Sequence, residues 1–200
     1  MPVTAMMIVT LVAALSILDG SAAAFDADKT FAKRTWIASF EGGGGAVTNI
    51  EGQDHPSDVE LWYLGARVSL LPFEPVGRGP FHGAVEVGLE PLYQRYTSPT
   101  HADYTGLALM GRYHFLAVGR LVPYLEIAAA AGRTNLRIPE INSDFAFWVA
   151  GGAGASVFVT DTTALYAGYR MVHVSNGNTA TPNRGFEVST GVVGVSLFFT

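Results

Sequence analysis

After residue 25 the chain alternates apolar and polar positions with a period of two, and no helical period competes with it. A period of two places successive side chains on opposite faces of an extended strand. Eight stretches rich in Val, Leu, Ala, aromatics and Gly carry the pattern, at about 35–47, 58–70, 80–95, 104–117, 121–133, 145–159, 163–175 and 186–199. They run 13 to 16 residues. An average strand has about 5–6, and a tilted strand needs about 9–11 to cross the hydrocarbon of a bilayer.

The two faces differ in kind. In the seventh stretch Leu165, Ala167, Tyr169 and Met171 oppose Tyr166, Gly168, Arg170 and Val172. In the third, Phe81, Val85, Val87 and Leu89 oppose His82, Glu86 and Glu90; in the fourth, Leu107, Leu109, Tyr113 and Phe115 oppose Met110, Arg112 and His114. The second sets Trp62, Leu64, Val68 and Leu70 against Tyr63 and Arg67, and the fifth sets Leu121, Leu125 and Ile127 against Glu126. One face is apolar and the other holds the charges, which is the lipid-out, polar-in arrangement of a transmembrane barrel. The predicted lumen then holds Arg67, Arg112 and Arg170 with Glu86, Glu90 and Glu126, and unpaired buried charge is costly enough that these six should pair.

The connections agree. Thr48–Ser57, Tyr96–Asp103, Thr134–Asp144 and Asn176–Gly185 are polar and mostly near ten residues, whereas those at Val118–Arg120 and Thr160–Thr162 are tight. Leu71–Gly79 is a longer exception containing Pro72, Pro75 and Gly77. Long loops on one side and short turns on the other are the outer-membrane pattern, with both ends of the barrel on the short-turn, periplasmic side. The expected fold is therefore all-β: an eight-stranded antiparallel up-and-down transmembrane barrel spanning 25–200.

Composition separates this from a soluble lipocalin-like barrel, which alternates equally well but is polar outside. Only 14% of the residues are charged, against about 25% in an ordinary soluble domain, and 145–159 has no charged residue at all. The last strand ends Leu197-Phe198-Phe199-Thr200, an assembly-type aromatic ending displaced by one residue. The apolar run Ala5–Leu18 is too short to span a membrane and is followed by Ala22-Ala23-Ala24, so 1–24 is expected to be a signal peptide cleaved before Phe25, although its first residues lack Lys and Arg. There is no cysteine, hence no disulfide or thiolate site, and the net charge of −5 argues against nucleic acid as a partner.

The segment with chemistry is Tyr169–Glu187, YRMVHVSNGNTATPNRGFE. His173 and Ser175 share the face of Leu165, Tyr169 and Met171, and so stand on the lipid-facing wall near the outer rim. Polar side chains at membrane depth are functional candidates by default. A serine hydroxyl needs a base to become a nucleophile, and the imidazole needs an acceptor that fixes its tautomer. Glu187 opens the eighth strand on the same face as Val193 and Val195 and can lie beside His173. The Asn- and Gly-rich loop between them supplies candidate oxyanion donors.

HVSNG followed by PNRGFE, with Glu187 fourteen residues after His173, resembles the signature of the lipid A 3-O-deacylase (PagL-type) family. The resemblance implies hydrolysis of the ester-linked acyl chain at position 3 of lipid A on the outer wall of an eight-stranded barrel. It implies Ser175 as nucleophile, His173 as general base and acid, and Glu187 as the orienting carboxylate. Asn176 and Asn183 match family asparagines; Asn183 is the favoured oxyanion donor, with the Gly177 amide beside it. Arg184 departs from the motif and is a candidate contact for a lipid A phosphate. The specific match covers about 20 residues, and the GxSxG elbow of soluble esterases is absent.

Blander readings compete. His-x-Ser near a strand end and an Asn-Gly loop are individually common, and a small non-enzymatic barrel, adhesin or structural protein, would use its loops instead. A narrow pore is disfavoured by a lumen filled with paired charge. His55, His82, His101 and His114 are dispersed, so no metal or other cofactor is expected, and the EGGGGA run at Glu41–Ala46 lacks the ending of a phosphate loop and reads as a strand end or loop. The expected partners are lipid A, or lipopolysaccharide, and outer-membrane lipid; a homodimer through the wall is left open.

Overall fold

The computed structural model describes residues 25–48, 50, 52 and 56–200, so the expected signal peptide and His55 lie outside the described residues. Eight long strands close a barrel: β1 (Trp36–Val47), β2 (Glu60–Leu70), β3 (Gly83–Ser98), β4 (Ala102–Phe115), β5 (Leu121–Thr134), β8 (Phe145–Phe158), β9 (Thr163–Ser175) and β10 (Phe186–Phe199). Each pairs antiparallel with its neighbours, and β1 closes on β10 from Trp36 opposite Phe199 to Val47 opposite Val188. Closure leaves no unpaired edge, which is what allows strands to cross hydrocarbon. Among the described residues no helix is long and apolar enough to do so.

The alternation read from the sequence is the alternation of the wall. Leu64, Leu109, Ile127, Val149 and Leu165 are each more than half exposed, while their neighbours Tyr63, Met110, Glu126, Trp148 and Tyr166 are buried in the lumen. This is apolar-out packing, and it excludes the lipocalin-like alternative.

The six predicted charges do pair, together with two groups not foreseen. Arg67 Nη1 lies 3.0 Å from Glu41 Oε2 and 2.9 Å from Glu90 Oε2, and its Nε lies 3.3 Å from Glu86 Oε1. Arg112 meets Glu126 at 2.8 Å, and His114 Nε2 meets Glu86 Oε2 at 2.7 Å. Glu41 belongs to the EGGGGA run, expected as a strand end or loop; it is no loop but the second half of β1, up to the residue before Val47. At Gly43 there is no room for a side chain: a Cβ would run into the Gly191 carbonyl oxygen and stand 2.7 Å from the Tyr63 ring in the lumen.

Three boundaries differ from expectation. The second outer connection is only 99–101, because Asp103, polar enough to read as loop, is strand and bonds Arg95 across the β3–β4 ladder at 2.8 Å. The third contains a small ribbon of β6 (Arg137–Ile138) and β7 (Ile141–Asn142). Phe81 and His82 do not begin β3; Phe81 ends a 3-10 turn, Gly79–Phe81. A short helix, α1 (Ala27–Thr30), capped by Asp26, brings the fully buried Phe31 among Leu71, Leu116, Phe158 and Phe198 and closes the short-turn end of the lumen. The long connections 48–59, 135–144 and 176–185 gather at the other end.

Candidate active site

β9 and β10 form the last hairpin, and their register sets Glu187 directly opposite His173. Both are odd positions on strands whose even positions, Val172, Val174, Val188 and Arg170, are buried in the lumen. The pair therefore stands outside the barrel. Glu187 Oε1 lies 2.8 Å from His173 Nδ1; the imidazole is 40% exposed and the carboxylate 10%. An ionised carboxylate can only accept, so Nδ1 carries the hydrogen and Nε2 presents its lone pair outward.

Ser175 ends β9 two residues beyond His173, on the same face, opposite Phe147 of β8. Its position shares the outward wall with His173, but among the described residues no hydrogen bond links Ser175 Oγ to the imidazole. A nucleophile–base contact often tightens only when substrate is present.

The loop that follows is built around Asn176. Gly177 and Asn178 take left-handed backbone angles, φ 62° and 61°, which turn the chain at once. Asn176 is fully buried, and its Nδ2 donates to the carbonyls of Ala180 and Pro182, both at 3.0 Å. Its backbone N–H donates to Asn183 Oδ1 at 2.8 Å. Both side-chain donor hydrogens of Asn176 are thus tied up bracing the loop, so of the two matched asparagines it is the support. Asn183 is half-buried, and its Nδ2 donates to Asn178 Oδ1 at 2.9 Å, leaving a second amide hydrogen. Arg184 is exposed beside the site and bonds through its backbone N–H to Glu140 O.

Glu140 is a residue that sequence reading missed. It sits in the turn between β6 and β7, buried, with Ser57 N–H and Ser57 Oγ–H both donating to its carboxylate at 2.7 Å. Its carbonyl accepts from Arg184 N–H at 2.9 Å and Gly185 N–H at 3.2 Å. Among the described residues there is no group of three or more His, Cys, Asp or Glu placed to hold a metal ion.

The lipid A 3-O-deacylase (PagL) family matches the chain over residues 62–196, from within β2 into the last strand of the barrel. The chain belongs to this family. Among solved structures, the outer membrane enzyme PagL superimposes with a TM-score of 0.60 at 16% identity, covering 78% of this chain and 97% of that one. Neisserial surface protein A follows with 0.57 at 15% identity, covering 82% of this chain and 97% of its own. At such identities the superpositions speak for the fold alone. No curated protein sequence matches the chain. Family, closed barrel and apolar outer belt together make this member of the lipid A 3-O-deacylase family a bacterial outer-membrane β-barrel.

Proposed function

We propose that the protein is a carboxylic ester hydrolase that removes the 3-position acyl chain of lipid A in the outer leaflet. Ser175 is the nucleophile, His173 the general base and acid, and Glu187 the orienting carboxylate. The observation that carries the reading is the 2.8 Å His173–Glu187 contact on the lipid-facing wall. A buried lumen is where this barrel keeps its structural charges, and a polar pair turned toward lipid contributes nothing to that network.

His173 Nε2 takes the Ser175 Oγ proton as Oγ attacks the ester carbonyl. The resulting oxyanion is held by the Asn183 amide with the Gly177 N–H, donors aimed at charge that develops only in the transition state. Collapse expels the sugar 3-hydroxyl, which receives the proton from the imidazolium, and leaves an acyl-serine. Water, deprotonated by His173, then releases the fatty acid and restores Ser175. Glu187 keeps Nδ1 protonated and stabilises the imidazolium throughout. We assign the exposed Arg184, next to Gly185, to a lipid A phosphate.

The test is mass spectrometry of lipid A from cells producing the intact chain or Ser175→Ala. Loss of one ester-linked acyl chain with the intact chain alone is the expected result. Unchanged lipid A in both, with the barrel folded in the outer membrane, overturns the reading.

A further inference from the structure

We infer that Glu140 is a positioning residue for the His173 imidazole, acting through the Gly185 peptide and coupling it to the first outer loop. A carboxylate that is 2% exposed at the rim of a barrel carries a desolvation cost that only specific partners offset. Its partners come from a distant part of the chain: both carboxylate oxygens are held by Ser57, 83 residues away. The same residue's carbonyl takes the N–H groups of Arg184 and Gly185, and its neighbour Ile141, fully buried, bridges Asn183. One turn thus fixes the last three residues before β10.

Gly185 is where this reaches the imidazole. Its φ is 71°, and a Cβ built on it would lie 2.8 Å from His173 Cε1 and 3.0 Å from Nε2. The Gly185 backbone is packed against the Cε1–Nε2 edge of the ring that the proposed reaction uses, while Glu187 holds Nδ1 on the other side of Cε1. The imidazole is gripped between two residues of one strand entry, and Glu140 sets where that entry begins. Displacing the Gly185 peptide tilts Nε2 relative to Ser175 without touching the Nδ1–Glu187 bond.

The kinetic arm of the test rests on the esterase reading; the spectroscopic arm does not. The full chain is prepared in detergent micelles with ¹³C-labelled histidine, as intact protein, Glu140→Ala, Glu140→Gln and Ser57→Ala. Gln keeps one acceptor for the Ser57 N–H, and its amide can donate to the Ser57 hydroxyl, so it preserves both contacts. Glu140→Ala is expected to move the His173 Cε1–H resonance and lower kcat on lipid A by about tenfold to a hundredfold, with KM within about twofold, since small misplacement of a reacting group costs this much. Glu140→Gln restores both signals. Ser57→Ala, the milder cut should Glu140→Ala fail to fold, shifts the resonance in the same direction. An unmoved resonance in both Glu140→Ala and Ser57→Ala overturns the inference. So does an equal loss in Gln and Ala, which would mark a requirement for the charge itself. If the intact chain has no Ser175-dependent activity, the esterase reading falls and the resonance alone decides the role of Glu140.

Discussion

Arg170 and His173 stand three residues apart on β9 and face opposite sides of the wall. Arg170 points into the lumen, with Nη1 2.8 Å from Glu41 Oε1 and Nε 2.9 Å from Glu126 Oε1, so the strand that carries the candidate site is tied from inside to β1 and β5. His173 points out and bonds Glu187 across the hairpin. The two positions should therefore fail differently. Arg170→Ala strips a cation from two buried carboxylates, and breaking such a pair costs about 3–5 kcal/mol. His173→Ala removes a half-exposed ring and leaves the buried Glu187 carboxylate without its partner, so it should cost about 1–3 kcal/mol, less than Arg170→Ala, while abolishing deacylation. Urea unfolding in micelles, read beside lipid A mass, separates the two.

Glu187→Gln keeps the size of the side chain but gives it an amide that can donate. The pair no longer dictates that Nδ1 carries the hydrogen, and the wrong tautomer leaves Nε2 unable to act as base. By analogy with orienting carboxylates elsewhere, kcat should fall by about 10²–10⁴-fold with KM little changed. Steady-state hydrolysis of lipid A in mixed micelles measures both; a kcat within a few-fold of the intact chain removes Glu187 from the proposed triad.

Most of the fold was legible because a barrel repeats one rule. Alternation set Leu64, Leu109 and Leu165 outward and Arg67, Arg112 and Arg170 inward without any knowledge of which strand neighbours which. The rule failed where polarity has a ladder to satisfy it: Asp103 looked like loop and is strand, paired with Arg95. It missed Glu41, which lay inside the first predicted strand but was read only as part of a glycine run, and the lumen consequently holds four glutamates against three arginines. At the site, His173 and Glu187 could be read together because a hairpin makes register local. Glu140 could not, since its partners Ser57 and Gly185 are distant in sequence and come together only when three outer loops meet.

The two asparagines of the loop should separate into chemistry and support. Asn176→Ala deletes two donors from carbonyls inside a closed loop, and unsatisfied buried groups cost about 1–3 kcal/mol, so the loop should become sensitive to limited proteolysis. Asn183→Asp keeps the Oδ acceptor for the Asn176 N–H but replaces the amide donors by negative charge. The barrel should unfold as before while kcat drops by about 10²–10³-fold, the usual cost of an oxyanion donor. Equal activity of Asn183→Asp and the intact chain would transfer the oxyanion role to backbone amides alone.

At the opposite end, His82 Nε2 lies 2.6 Å from Asp28 Oδ1 and ties the segment that closes the lumen to the entry of β3. The hydrogen bond to Asp28 holds the histidine above its ordinary value, so the folded state binds its proton more tightly than the unfolded chain. A raised value means that the pair's contribution is fully present below the unfolded histidine value of about 6.5 and drains away as pH climbs through the higher folded value. The predicted signature is a stability gap between the intact chain and His82→Gln that is open at about pH 5.5 and closed by about pH 9. Because both side chains reach solvent, the gap should also narrow in high salt. Unfolding midpoints of the two proteins across that range, at low and high ionic strength, check the sign. A gap that widens with pH would mean that the neutral imidazole, not the imidazolium, is what Asp28 holds.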